Sequence, residues 1–232
     1  TVLSLFPEDE VLLHTRLSPK AMSHFGRHHL THRILAIDEI AGIEEEALAQ
    51  IRSLLSRGKI SAAYPQIDKQ TGAIATVQKE VFGPTAIFTS TTHEELIDDE
   101  TRSRFLILPV DESAEQTKRV MRALVRQGTK RGMTLDSERD RIRRKYRMIQ
   151  KVLRPVRLVM PEDWEDQITF NSERISFKRK FAGYLFLISS LALHRRHQRK
   201  TRYEETGGGE MVEVAPVEAE DVREVNEIMR GI

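Results

Sequence analysis

The sequence predicts an α/β fold, a parallel sheet flanked by helices and followed by a mostly helical C-terminal region. Two observations carry the prediction. Apolar runs at Ile34–Ile37, at 85–88 (TAIF) and at 105–110 (FLILPV) read as strands buried on both faces, and segments of helical period lie between them. The first run ends in two acids, RILAIDE, and the second in four hydroxyls, Thr89 to Thr92. Polar residues at the C-terminal ends of parallel strands sit where open α/β sheets bind ligands.

The chain has 232 residues, enough for one large or two small domains. It contains no cysteine, which excludes disulfides and thiolate chemistry. The longest apolar run, 181–193, is too short to span a bilayer, and no signal peptide is evident. A cytoplasmic protein without membrane contact is expected. Net charge is +2, but residues 118–157 hold fifteen Lys or Arg against three acids, so that segment is +12 and the remainder −10. Such asymmetry fits a polyanionic partner such as nucleic acid; the alternative is a solvated helix face.

In chain order, TVLSLF reads as the tail of a helix cut at its start, which suggests a piece of a longer protein. Residues 10–17 read as a short strand or turn, followed by a loop rich in His and Ser. After the acidic strand, Ile43, Ala47, Leu48, Ile51, Leu54 and Leu55 recur with helical period, and Gly58 suits the helix C-terminus. Residues 58–83 read as a long hairpin with arms 59–67 and 73–82 and the polar tip Asp68-Lys69-Gln70-Thr71-Gly72. Ser113-Ala-Glu-Gln116 is a capping box that opens a helix to Arg126. Gly128 and Gly132 interrupt the chain before a basic helix with Ile142, Tyr146 and Ile149 on one face. A strand and turn around Trp164, a helix over 176–200, a hairpin around Gly207 to Gly209 and a terminal amphipathic helix follow. The expected division is 1–112, 113–160 and 161–232.

A magnesium-nucleotide site needs paired acids of this kind, Asp38 to hold the hydrated Mg²⁺ and Glu39 to polarise the attacking water. The alternative is a buried strand that ends in two solvated acids. His28, His29 and His32, or His194 and His197, offer imidazoles for a metal, but no cysteine or suitably spaced acid accompanies them; contact with DNA or solvent is the other reading.

The order of acid-tipped strand, helix, hairpin, hydroxyl-tipped strand and Arg before a further apolar run resembles AAA+ ATPases of the pre-sensor-1 hairpin clade. ILAIDE is similar to a Walker B strand, IFTSTT to a sensor-1 strand and DDETRSRFLIL to the arginine-finger segment of minichromosome-maintenance helicases. The whole run resembles the ATPase module found with phage, plasmid and bacterial DNA primases. The resemblance covers residues 30–112 well and the lid weakly.

It implies ATP and Mg²⁺ as cofactors, with Asp38 at the metal and Glu39 at the lytic water. Thr91, with Ser90 as second choice, would bond the water or γ-phosphate. Arg104 would act as a finger on a neighbouring subunit in a homo-oligomeric, hexameric ring, and Arg179 as the lid cation. It implies DNA as partner through Lys69 at the hairpin tip and Arg141, Arg144, Lys145 and Lys151 on the basic helix, with a primase region in the same or a partner chain. One departure stands out: no G-x-x-x-x-G-K-[ST] loop occurs in these residues. Either it lies upstream of an N-terminally truncated core or it is lost. The expected function is an ATP-driven DNA motor, helicase or primase-associated ATPase. The alternatives are an AAA+ protein-remodelling ATPase and a non-catalytic DNA-binding module.

Overall fold

The structure, a computed structural model, describes residues 2–41, 43–67, 74–154, 156–167 and 175–230. The chain divides into two units, Thr1–Arg102 with Arg119–Val152, and Ser103–Lys118 with Leu153–Ile232.

The first unit is built on a parallel sheet of three strands. β1 (Val11–His14) and β5 (Thr85–Thr89) flank β2 (Arg33–Ile37), with Leu35 opposite Leu12 on one side and Ile87 on the other. Ile34 to Ile37 are all buried, as a continuous apolar run on a central strand requires. α1 (Pro19–His24) precedes β2, where a loop was expected. Ser18 caps it by accepting from the Ala21 amide at 3.2 Å, and Pro19 at the first helical position presets its φ. α2 (Glu45–Arg57) turns Ala47, Ile51 and Leu54 inward and ends at Gly58, whose φ of 68° is the left-handed conformation that frees the chain to reverse.

β3 (Lys59–Ile67) and β4 (Ile74–Phe82) form the expected hairpin as a separate two-stranded antiparallel sheet. Ile60 and Val81 at its root are buried. Its tip, with Lys69, lies outside the described residues.

α3 (Asp99–Arg102) closes this part of the unit. α4 (Ala114–Gln127) starts at the predicted cap, Ser113 Oγ accepting from the Gln116 amide at 3.1 Å. α5 (Lys130–Val152) begins before Gly132 rather than after it. A Cβ on Gly132 would lie 2.4 Å from the Arg126 carbonyl oxygen, so the close α4–α5 turn demands glycine there. The apolar stripe expected on α5 is largely open, with Ile142 and Tyr146 exposed. The helix packs instead on the 3₁₀ turn Val2–Leu5, with Arg147 bonded to the Ser4 carbonyl and to Glu8, both at 3.0 Å.

The apolar run 105–110 is not a strand. It is irregular, and Leu106, Leu108 and Val110 are exposed. A strand needs a neighbour to satisfy its backbone, and among the described residues none pairs with this segment. The sheet's third member is β1 instead.

The second unit has its own mixed sheet and core. β6 (Arg157–Val159), α6 (Trp164–Gln167), α7 (Ile175–Arg195), β7 (Arg202–Glu205), β8 (Met211–Pro216) and α8 (Ala219–Arg230) follow in order. β8 lies between β6, parallel to it, and β7, antiparallel. Ile188 and Ala192 of α7 pack with Val217 and Val225, and Trp164 and Leu158 close around them. The hairpin expected within the 161–232 lid is β7–β8, and it is joined into a three-stranded sheet by β6, which falls in the expected 113–160 connector. Among the described residues no helix is long and apolar enough to cross a membrane.

Candidate functional site

The sheet's parallel register brings the C-terminal ends of β1, β2 and β5 to one edge, and with them His14, Asp38, Glu39, Ser90 and Thr91. The Asp38 amide donates to the His14 carbonyl at 3.1 Å, and its carbonyl accepts the Ser90 hydroxyl at 2.5 Å. The Ile40 amide donates to the Ser90 carbonyl at 3.0 Å. The backbone of the acidic pair is therefore tied to both neighbouring strand ends while the Asp38 side chain stays exposed.

Glu39 is held by neutral donors. Its Oε1 accepts from the Ala41 amide at 2.9 Å and its Oε2 from the Thr92 amide at 3.4 Å. The Ala41 amide, then the Thr91 hydroxyl, lower its pKa below the ordinary glutamate value, so it is ionised at neutral pH. Thr91 Oγ1 in turn accepts from the His93 amide at 3.0 Å. Of the two hydroxyls expected at the lytic water or the γ-phosphate, Ser90 is engaged with the Asp38 backbone and Thr91 with the Glu39 carboxylate.

The other predicted residues are elsewhere. Arg104 and Arg179 belong to the second unit, where Arg179 Nη1 donates to Ser103 Oγ at 3.0 Å, one residue before Arg104. Arg141, Arg144, Lys145 and Lys151 are exposed on α5, with Arg141 3.9 Å from Glu138.

Two groups escaped the sequence reading. Arg52 on α2, its side chain only 12% exposed, reaches Glu45, Asp98 at 3.3 Å and the buried Thr101 hydroxyl at 3.0 Å, which anchors α3 against α2. His14 supplies the carbonyl beneath Asp38, and its buried Nε2 has no hydrogen-bond partner among the described residues. The available signal for His14 was its place at the end of an apolar run, VLLH.

Among the described residues no group of three or more His, Asp or Glu is placed to hold a metal. Of the imidazoles weighed for that role, His28 lies on the Phe82 ring and His29 on the Phe25 ring. The carboxylates and hydroxyls at the strand ends form an all-oxygen set. The chain matches no protein-family model, and no curated protein matches it.

Proposed function

We propose that this chain is part of an ATP-driven DNA motor of AAA+ type, with the Asp38–Glu39 edge as its hydrolytic centre. The observation that carries the reading is a Glu39 carboxylate held by the Ala41 and Thr92 amides beside an exposed Asp38, at the C-terminal ends of parallel strands and next to hydroxyl-bearing Thr91. Asp38 would hold the nucleotide's Mg²⁺ through water. The bound nucleotide supplies an electrophilic phosphoryl group. Glu39 accepts a hydrogen bond from the attacking water and orients it, and Thr91 fixes the Glu39 carboxylate through its own hydroxyl. Arg104 would serve the site of a neighbouring subunit in a hexameric ring, where such a cation is worth about 10³–10⁵ in rate, and Arg179 would act from the lid. The α5 cations and the hairpin tip supply sequence-independent contacts to DNA.

The reading requires a phosphate-binding loop, which these 232 residues do not contain. A second reading is a DNA-binding module without catalysis, which the exposed basic row on α5 would serve equally well. DNA-stimulated ATP hydrolysis by the full-length protein separates the two. Glu39→Gln is expected to lower turnover by about 10²–10⁴ with nucleotide binding retained. Wild-type turnover in Glu39→Gln would remove this site from the chemistry, and no hydrolysis in the wild type would leave the binding module.

A further inference from the structure

The root of the hairpin carries an aromatic and cationic group that nucleotide chemistry does not use. His28 lies on the Phe82 ring, with centroids 5.6 Å apart and planes 21° apart. The Arg27 guanidinium carbon is 5.1 Å from the Phe82 centroid and Lys59 Nζ is 5.9 Å from it. Lys59 stands directly opposite Phe82 in the β3–β4 register. Glu80 bonds Lys59 at 2.7 Å and is also influenced by Arg27, so two cations face one carboxylate around the ring.

The group is preorganised. The Phe82 amide donates to the Arg27 carbonyl at 2.8 Å, and the Thr31 hydroxyl donates to the Phe82 carbonyl at 3.1 Å. The same hydroxyl lies 3.5 Å from His28 Nδ1. The loop before β2 is thereby pinned along the end of β4. His28 and Arg27 remain exposed on its outside.

An exposed ring stacked on a second ring, with flexible cations beside it, suits a single strand of nucleic acid. A base gains by stacking on a flat ring, and the adjoining phosphates gain from Arg and Lys. An acidic protein surface would need the cations but not the platform. We infer that the His28–Phe82 stack, with Arg27 and Lys59, binds a base and its flanking phosphates in single-stranded nucleic acid. This rests on the nucleic-acid half of the motor reading and is independent of its ATP half.

The test is fluorescence anisotropy without nucleotide, using the 232-residue chain. The probes are an oligothymidylate about 15 nucleotides long and an abasic strand of equal length. His28→Ala is expected to weaken oligothymidylate binding about tenfold and to leave the abasic strand unaffected, with His28→Phe restoring affinity. Arg27→Gln should weaken both and flatten the salt dependence by about 0.7 in log–log slope. If the wild type binds and His28→Ala binds equally well, this site fails and the DNA reading stands. If the wild type binds neither strand, both fail. Displacement by polyglutamate as effective as by unlabelled oligothymidylate would assign the surface to an acidic protein partner and overturn the inference.

Discussion

Glu39 in the first unit and Asp221 in the second are both carboxylates with lowered pKa values, and they reach that state by opposite routes. Glu39 sits at an open strand end, held chiefly by the Ala41 amide and the Thr91 hydroxyl. Asp221 is fully buried. Burial opposes its ionisation, but the Arg199 guanidinium at 2.5 Å and the Glu218 amide at 2.9 Å outweigh it, with Arg195 nearby. The Arg199 side chain is itself only 4% exposed. A carboxylate neutralised by guanidinium ions has its field terminated inside the protein and serves the fold. One held by neutral donors keeps a net negative field directed outward and can act on a ligand.

The largest effect that tests this contrast is on stability. Asp221→Ala leaves two guanidinium groups without their buried countercharge and is expected to cost about 3–5 kcal/mol in urea unfolding. Glu39→Gln, at a half-buried strand end and isosteric with the native side chain, should change stability by less than about 1 kcal/mol. pH separates them further. The folded pKa of Asp221 is below its unfolded value, so its contribution is fully present above the unfolded pKa near 4 and is lost as pH falls through the folded one. Wild-type stability should fall more steeply below about pH 4 than that of Asp221→Ala. Parallel acid profiles would show that Asp221 is not the group whose protonation loosens this unit.

Arg52 tests whether burial of both partners is what makes such a pair costly to break. Its guanidinium is nearly buried, but Glu45, Asp98 and Glu100 are 73%, 42% and 56% exposed and can rehydrate when it is removed. The remaining loss is packing and the donor to the buried Thr101 hydroxyl. Arg52→Ala should therefore cost about 2 kcal/mol, less than Asp221→Ala, with faster amide exchange in α3. A cost equal to that of Asp221→Ala would mean that the exposure of the partners does not govern the difference.

The same contrast explains what could be read from sequence. β2 was legible because a central strand writes its burial into a run of apolar residues; β5, read as equally buried, is a strand as expected but an edge one, with Ala86 and Phe88 exposed. Residues 105–110 carry an equally apolar run, yet strand formation depends on a partner that local sequence does not specify. α1 was written in plain signals, Ser18 before Pro19, and was obscured by the histidines after it. Arg52 and Asp221 were hidden for another reason. Asp98 is 46 residues from Arg52 and Arg199 is 22 from Asp221, so no local pattern marks either pair. The Asp221 cap on the Glu218 amide was the one local clue.

The smallest stability effect belongs to the α5 cations, and it is where the contrast is sharpest. Arg141, Arg144, Lys145 and Lys151 are exposed, and the Arg141–Glu138 pair at 3.9 Å joins two exposed side chains. Exposed pairs of this kind contribute a few tenths of a kcal/mol, and Gln is nearly as good a helix former as Lys or Arg. Changing all four to Gln should move stability by no more than about 0.5 kcal/mol while Arg147, which anchors the helix at Glu8, is left in place. Like Glu39, these charges contribute little to the fold, so any effect must be read on a ligand. For every cation that pairs with a phosphate of single-stranded DNA, its neutralisation should flatten the log–log salt dependence by about 0.7 and weaken binding to all sequences alike. A filter-binding salt titration beside a urea melt measures both. Unchanged affinity would identify the basic row as a solvated face, whereas a drop of several kcal/mol in stability would place these cations with Asp221, among the charges that hold the fold together.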